Sequence, residues 1–168
     1  MGALERLEKP GIRGWLHQPA KVKAAMLLSH GAGGDGQAPL MVAVAKAFCD
    51  AGYLVLRWDL PFRQAGPRSA PGGSGQRDRD GIRNAAEFMR QQAQGVPLCL
   101  AGQSYGGRQS SMVAVTFSGL CSQPQMPGRS NRSGFAIYAT FDRIPWYRLA
   151  TFKPLANAFG TRRYWPGG

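Results

Sequence analysis

The pentapeptide Gly102-Gln103-Ser104-Tyr105-Gly106 sets one serine between two glycines, after the apolar run 97–101 and before a stretch with helical spacing. A serine at a sharp strand-to-helix turn can present its hydroxyl at the rim of a sheet, where it could attack an electrophilic carbonyl. Gly102 and Gly106 suit that turn because a Cβ at either would crowd it, and Gly107 relieves the helix start. The Tyr105 amide, at a helix N-terminus, would face the negative charge that develops on the carbonyl oxygen. A second such amide should come from a loop after an earlier strand. His30-Gly31-Ala32-Gly33-Gly34 stands in that place, and Ala32 is the expected donor, with His30 and Gly31 supporting the loop.

Each of these residues has a plainer reading. A histidine closing a strand usually ties down the loop through its ring instead of acting as a base, and this is the reading adopted for His30. His17, on an alternating segment near the N-terminus, is a weaker candidate still. Gly31-Ala-Gly-Gly-Asp-Gly36 also fits the glycine pattern of dinucleotide sites, with Asp59 following at the end of the next strand. A phosphate site needs the helix to begin inside the glycine run, whereas Gln37, Ala38 and Pro39 delay it here. Asp59 is expected to cap a turn or to pair with Arg57 or Arg63. Neither a cofactor nor a metal ion is expected.

The elements that must position these residues follow from periodicity. Residues 24–29 read as a buried strand and 39–51 as an amphipathic helix, with Pro39 in its first turn and Gly52 just past its end. Residues 53–57 form a second strand, so the order is β-α-β with a connection suited to a parallel crossover. The Pro- and Gly-rich segment 61–76 is expected to be a surface loop. A helix over about 76–94, a strand over 97–101 and a helix over about 105–116 complete the pattern, and 12–17 reads as an antiparallel edge strand. The fold class is therefore α/β: an incomplete, mostly parallel sheet with flanking helices and an irregular C-terminal tail. Residues 1–116 form the patterned part. In 117–168 only 134–138 resembles a strand.

The chain has 168 residues, 43% of them hydrophobic and 18% charged, which suits one core. There is no heptad run and no apolar stretch long enough to cross a bilayer. The start lacks the pattern of a secretory signal, so a cytoplasmic protein is expected. Cys49, Cys99 and Cys121 form no C-x-x-C pair and read as buried thiols. The net charge of +12 is concentrated toward the end, where residues 117–168 hold seven Lys/Arg against Asp142 alone. Arg162, Arg163, Tyr164 and Trp165 would be the best argument for nucleic acid. The basic residues are otherwise scattered singly and match no recognition module, so a solvated basic surface is expected.

Four ordered blocks carry a resemblance: Leu28-Ser-His-Gly-Ala-Gly-Gly34, Gly52-Tyr-Leu-Val-Leu-Arg-Trp-Asp-Leu-Pro-Phe-Arg63, Asp80-Gly-Ile-Arg83 and Gly102-Gln-Ser-Tyr-Gly-Gly-Arg-Gln109. Over about residues 12–115 the chain resembles the α/β-hydrolase superfamily. Within it, the chain is similar to the dienelactone-hydrolase-like group related to a testis-expressed protein and to a subunit of the non-specific-lethal chromatin complex. The resemblance implies hydrolysis of an ester-like bond in a small-molecule substrate through an acyl-serine at Ser104, and some relatives of this kind act as noncatalytic scaffolds. It also implies an acid and then a histidine after the serine. No histidine follows Ser104, and Asp142 is the only later acid. Activity is accordingly expected to be impaired, and a frame-shifted reading of the gene from about residue 115 is one expected origin of the unmatched tail.

Overall fold

The computed structural model describes residues 2–117 and 135–140. Six strands, β1 (Ala3–Lys9), β2 (Ile12–Gln18), β3 (Ala24–Ser29), β4 (Tyr53–Trp58), β5 (Leu98–Gln103) and β6 (Phe135–Thr140), form one sheet in the order β1-β2-β4-β3-β5-β6. The helices are α1 (Pro39–Asp50), α2 (Pro61–Gln64), α3 (Gln76–Gln92) and α4 (Tyr105–Phe117). β4, β3 and β5 run parallel, while β1, β2 and β6 each pair antiparallel with their neighbours.

β3 shows why this architecture is built from so short an apolar run. All six of its residues are buried, because it lies between two strands and under helices on both faces. Ala25 and Leu27 point into one layer with Leu54, Leu56, Leu98, Leu100 and, from α3, Ile82, Ala85, Ala86 and Met89. Met26 and Leu28 point into the other with Val55, Cys99, Ala101 and, from α1, Met41, Val44, Ala45 and Phe48. The two-residue repeat of the strand thus feeds two cores at once.

The expected central elements are all present, and three readings are corrected. Residues 12–18 are not an edge strand, because β1 covers them, with Arg6 opposite Trp15 and Leu7 opposite Gly14. β1 escaped notice because only Leu7 of its seven residues is buried, so no alternation shows. The segment expected to be loop begins with the short helix α2, for which Pro61 supplies a preset φ at the first turn. Asp59 pairs with neither Arg57 nor Arg63. Its Oδ2 accepts from Arg13 Nε at 2.9 Å and its Oδ1 from the Gly36 amide at 2.7 Å. In the expected tail, β6 lies antiparallel to β5 with Ala136 opposite Gly102. Cys121, Asp142 and the Arg162–Trp165 cluster lie outside the described residues.

Candidate active site

Ser104 occupies the single turn between the end of β5 and the start of α4, and its φ of 48° is the only positive value among the described non-glycine residues. A branched or bulky side chain resists that torsion, and serine holds it only because the surrounding packing over-determines it. The packing is visible at the flanking glycines. A Cβ on Gly102 would lie 2.6 Å from the Gly107 nitrogen and 2.8 Å from the Ser29 carbonyl oxygen, and one on Gly106 would strike the Ser29 and His30 carbonyl oxygens. The first turn of α4 is therefore seated directly on the ends of β3 and β5. Arg108 N–H donates to the Ser104 carbonyl at 3.0 Å, which makes Ser104 the N-cap residue and leaves the next amides, beginning with Tyr105, without intrahelical acceptors. Ser104 itself is exposed.

The loop after β3 runs beside this turn: a Cβ placed on Gly31 would lie 3.7 Å from Ser104 Cβ. His30 is fully buried under it. Its Nδ1 donates to the Gly31 carbonyl at 2.7 Å, and its Nε2 accepts the Leu60 amide at 3.0 Å. Burial pushes the His30 pKa down, so the ring is neutral and both nitrogens are committed. The Gly31 carbonyl also accepts the Gly34 amide at 3.1 Å. In a trans peptide the next N–H points opposite the carbonyl, so these two bonds fix the direction of the Ala32 amide. Ala32 is exposed.

The outer side of the loop is held by cations. Arg63, largely buried, donates from Nε to the Gly34 carbonyl at 2.9 Å, from one terminal nitrogen to the Ala32 carbonyl at 3.1 Å, and from the other to the Pro67 carbonyl. Arg57 donates to the Gly36 carbonyl at 2.6 Å and to His17 Nε2 at 2.9 Å, and stacks on the Trp15 ring at 4.5 Å. Burial, and then the Arg57 charge, push His17 down from 6.5 to about 4. Gly36, whose amide would have faced a phosphate in a dinucleotide site, donates to Asp59 instead, and α1 begins three residues later at Pro39.

Residues 22–129, more than half of the chain, match the family described as an alpha/beta hydrolase domain. The chain belongs to that family. Solved structures with the same fold include TT1662 from Thermus thermophilus, 23% identical, with a TM-score of 0.57 over 69% of this chain and 52% of that one. The dienelactone hydrolase from Anabaena variabilis is 18% identical, with a TM-score of 0.58 over 68% of this chain and 58% of that one. Est1E from Butyrivibrio proteoclasticus is 18% identical, with a TM-score of 0.52 over 71% of this chain and 47% of that one. The chain thus spans about half the length of the solved structures it is similar to. No curated protein matches it.

Within this hydrolase-family domain, Ser104, Tyr105, Ala32, His30, Gly31, Gly102, Gly106 and Gly107 lie on two adjoining segments, the turn after β5 and the loop after β3. Sequence reasoning missed Asp78. This buried carboxylate, in the first turn of α3, accepts the Tyr105 hydroxyl at 2.6 Å on Oδ2 and the Phe62 amide at 3.0 Å on Oδ1. Burial and then the bond to Asp78 push the Tyr105 hydroxyl well above its usual range, so it stays protonated and donating. Sequence reasoning named Arg63 only as a candidate partner of Asp59, because an arginine in a Pro-rich stretch gives no hint that it will reach back to three backbone carbonyls.

Proposed function

We propose that the chain is, by lineage, a serine hydrolase of ester-like bonds that acts through an acyl-serine, in the dienelactone-hydrolase-like group named above. Ser104 Oγ attacks the ester carbonyl and forms a new C–O bond, and the carbonyl oxygen becomes an oxyanion held by the Tyr105 and Ala32 amides. As the tetrahedral intermediate collapses, the C–O bond to the alcohol breaks and the alcohol takes the proton given up by Ser104; water then attacks the acyl carbon, releases the acid and returns a proton to Oγ. The observation that carries this reading is an exposed serine with a φ of 48° between a central strand and a helix, beside the loop that begins at His30.

Among the described residues, removal of the Ser104 proton is the step that lacks a partner. The chain holds two histidines, and each accepts an N–H on its Nε2, from Arg57 at His17 and from Leu60 at His30. Neither lone pair is available to a serine. Loss of the base is expected to cost several orders of magnitude in rate and to leave only oxyanion stabilisation and binding. That observation favours a second reading, a noncatalytic hydrolase-like scaffold.

A fluorophosphonate probe tests the choice. Slow labelling that disappears in Ser104→Ala supports the hydrolase, and absence of labelling in a folded sample supports the scaffold. The cytoplasm is the proposed location. A frame-shifted origin for the tail is also proposed. The break is proposed at about residue 115, and the family match, which runs on to residue 129, counts against one so early. Resequencing the gene checks it, and an uninterrupted frame ends the idea.

A further inference from the structure

β1 forms an outer margin of the sheet, paired with β2 on one side and with no other described strand on the other. Six of its seven residues are exposed. Alternate N–H and C=O groups of such a strand point outward, and edges of this kind are usually guarded by charges that discourage an incoming strand. In Glu5-Arg6-Leu7-Glu8-Lys9 the charges are ordered otherwise: outward from Leu7 in both directions, each residue meets its mirror position with the opposite sign. We propose that this edge is a self-association surface, on which a second copy of the chain adds its own β1 antiparallel, with Leu7 opposite Leu7 across a two-fold axis.

The axis limits the possible registers. A two-fold axis perpendicular to the sheet keeps each face on its own side, so a residue can oppose only one of the same parity, and a residue lies on the dyad. Centred on Leu7, the pairing sets Arg6 against Glu8 and Glu5 against Lys9 in both halves. Centred on Glu5, Arg6, Glu8 or Lys9, it sets that charge against its own copy. Opposite charges directly across an antiparallel pair are favourable and like charges are not, so the Leu7 register is favoured over every centre on a charge, and over a centre on Leu4, which aligns no opposite charges at all.

The monomer already presents the parts. Arg6 and Glu8 stand on one face of β1, paired with each other at 2.5 Å and with side chains 66% and 60% exposed, so that each can also reach the opposite charge of a second copy. Glu5 and Lys9 stand on the other face, where Glu5 accepts from Gln18 at 2.9 Å and Lys9 lies over the Phe88 ring at 5.0 Å. Leu7 between them is buried against the core layer of α3. Pro10 follows Lys9 and, lacking an N–H, ends the pairing there.

Sedimentation velocity of the full chain over a concentration series tests the proposal. The wild type is expected to pass from monomer to dimer as concentration rises. Arg6→Glu, which sets carboxylate against carboxylate at both Glu8 contacts, should weaken the dimer by at least about tenfold. Combining Arg6→Glu with Glu8→Arg should restore it. Glu8→Arg alone creates the reciprocal clash and takes the place of Arg6→Glu if circular dichroism shows that variant unfolded. A monomer at every concentration, association indifferent to the single reversal, or loss without rescue in the double reversal would overturn the proposal.

Discussion

Ser104 holds a torsion that glycine adopts freely and serine does not. Ser104→Gly is therefore expected to be more stable than Ser104→Ala by about 1 kcal/mol in urea unfolding, because alanine removes the hydroxyl and keeps the strain. Gly106 poses the opposite constraint. Gly106→Ala would drive a methyl into the Ser29 and His30 carbonyls and should cost about 3 kcal/mol or more, whereas Gly33→Ala, with nothing within 4 Å of its Cβ, should change stability little. The same urea titration checks both. His17 governs a pH dependence. Its pKa is lowered from 6.5 to about 4, so the unfolded chain binds a proton that the folded chain refuses between those values. Its contribution is complete above pH 6.5 and is lost as pH falls toward 4, and the His30 shift has the same sign. His17→Gln keeps an acceptor for Arg57 and removes the titration, so thermal melts across that range should show a shallower acid limb. At this scale Ser104, its glycines and His30 could be read from the chain because a glycine-flanked turn has local steric requirements. The bonds of Arg63, Arg57 and Asp78 could not, because their partners, backbone carbonyls and amides together with the His17 ring and the Tyr105 hydroxyl, are brought near only by the folded chain.

Among the elements, α2, α3 and α4 meet at one carboxylate. Asp78 at the start of α3 holds the first amide of α2, that of Phe62, and the first residue of α4 through the Tyr105 hydroxyl, with the Phe62 and Tyr105 rings edge to face at 5.8 Å. Tyr105→Phe leaves Asp78 Oδ2 buried without that donor and should cost about 1–3 kcal/mol. A double-mutant cycle with Asp78→Asn should return a coupling of about 1 kcal/mol or more, and an additive result would show that the bond does not tie the helices together. The parallel strands and long helices were readable because a two-sided core imposes an unbroken apolar run on β3 and a regular stripe on α3. β1 was not, since an edge strand with one buried residue obeys no alternation, and Asp59 found Arg13 because β2 lies beside β4, a neighbour relation that local sequence does not encode.

For the molecule as a whole, stability should grade outward from β3. Amide exchange followed by mass spectrometry is expected to be slowest in β3 and its parallel neighbours β4 and β5, and fastest in β1, whose residues are mostly exposed. Rapid exchange in β3 would refute a single core built around it. Two layers meet at that strand, and the proposed chemistry sits where its end and that of β5 lie side by side, Ser29 opposite Gly102. Trp58 ends the other neighbouring strand, fully buried, with its indole N–H on Ser29 Oγ at 3.2 Å and its backbone against Gly36. Its ring lies against α3, where a Cβ on Gly81 would be 3.4 Å away, so any loosening of α3 from the strand ends would admit water to that ring and move its fluorescence to the red. Subtracting the emission of Trp58→Phe from that of the wild type would turn this indole into an unlabelled optical gauge of whether α3 is seated on the strand ends.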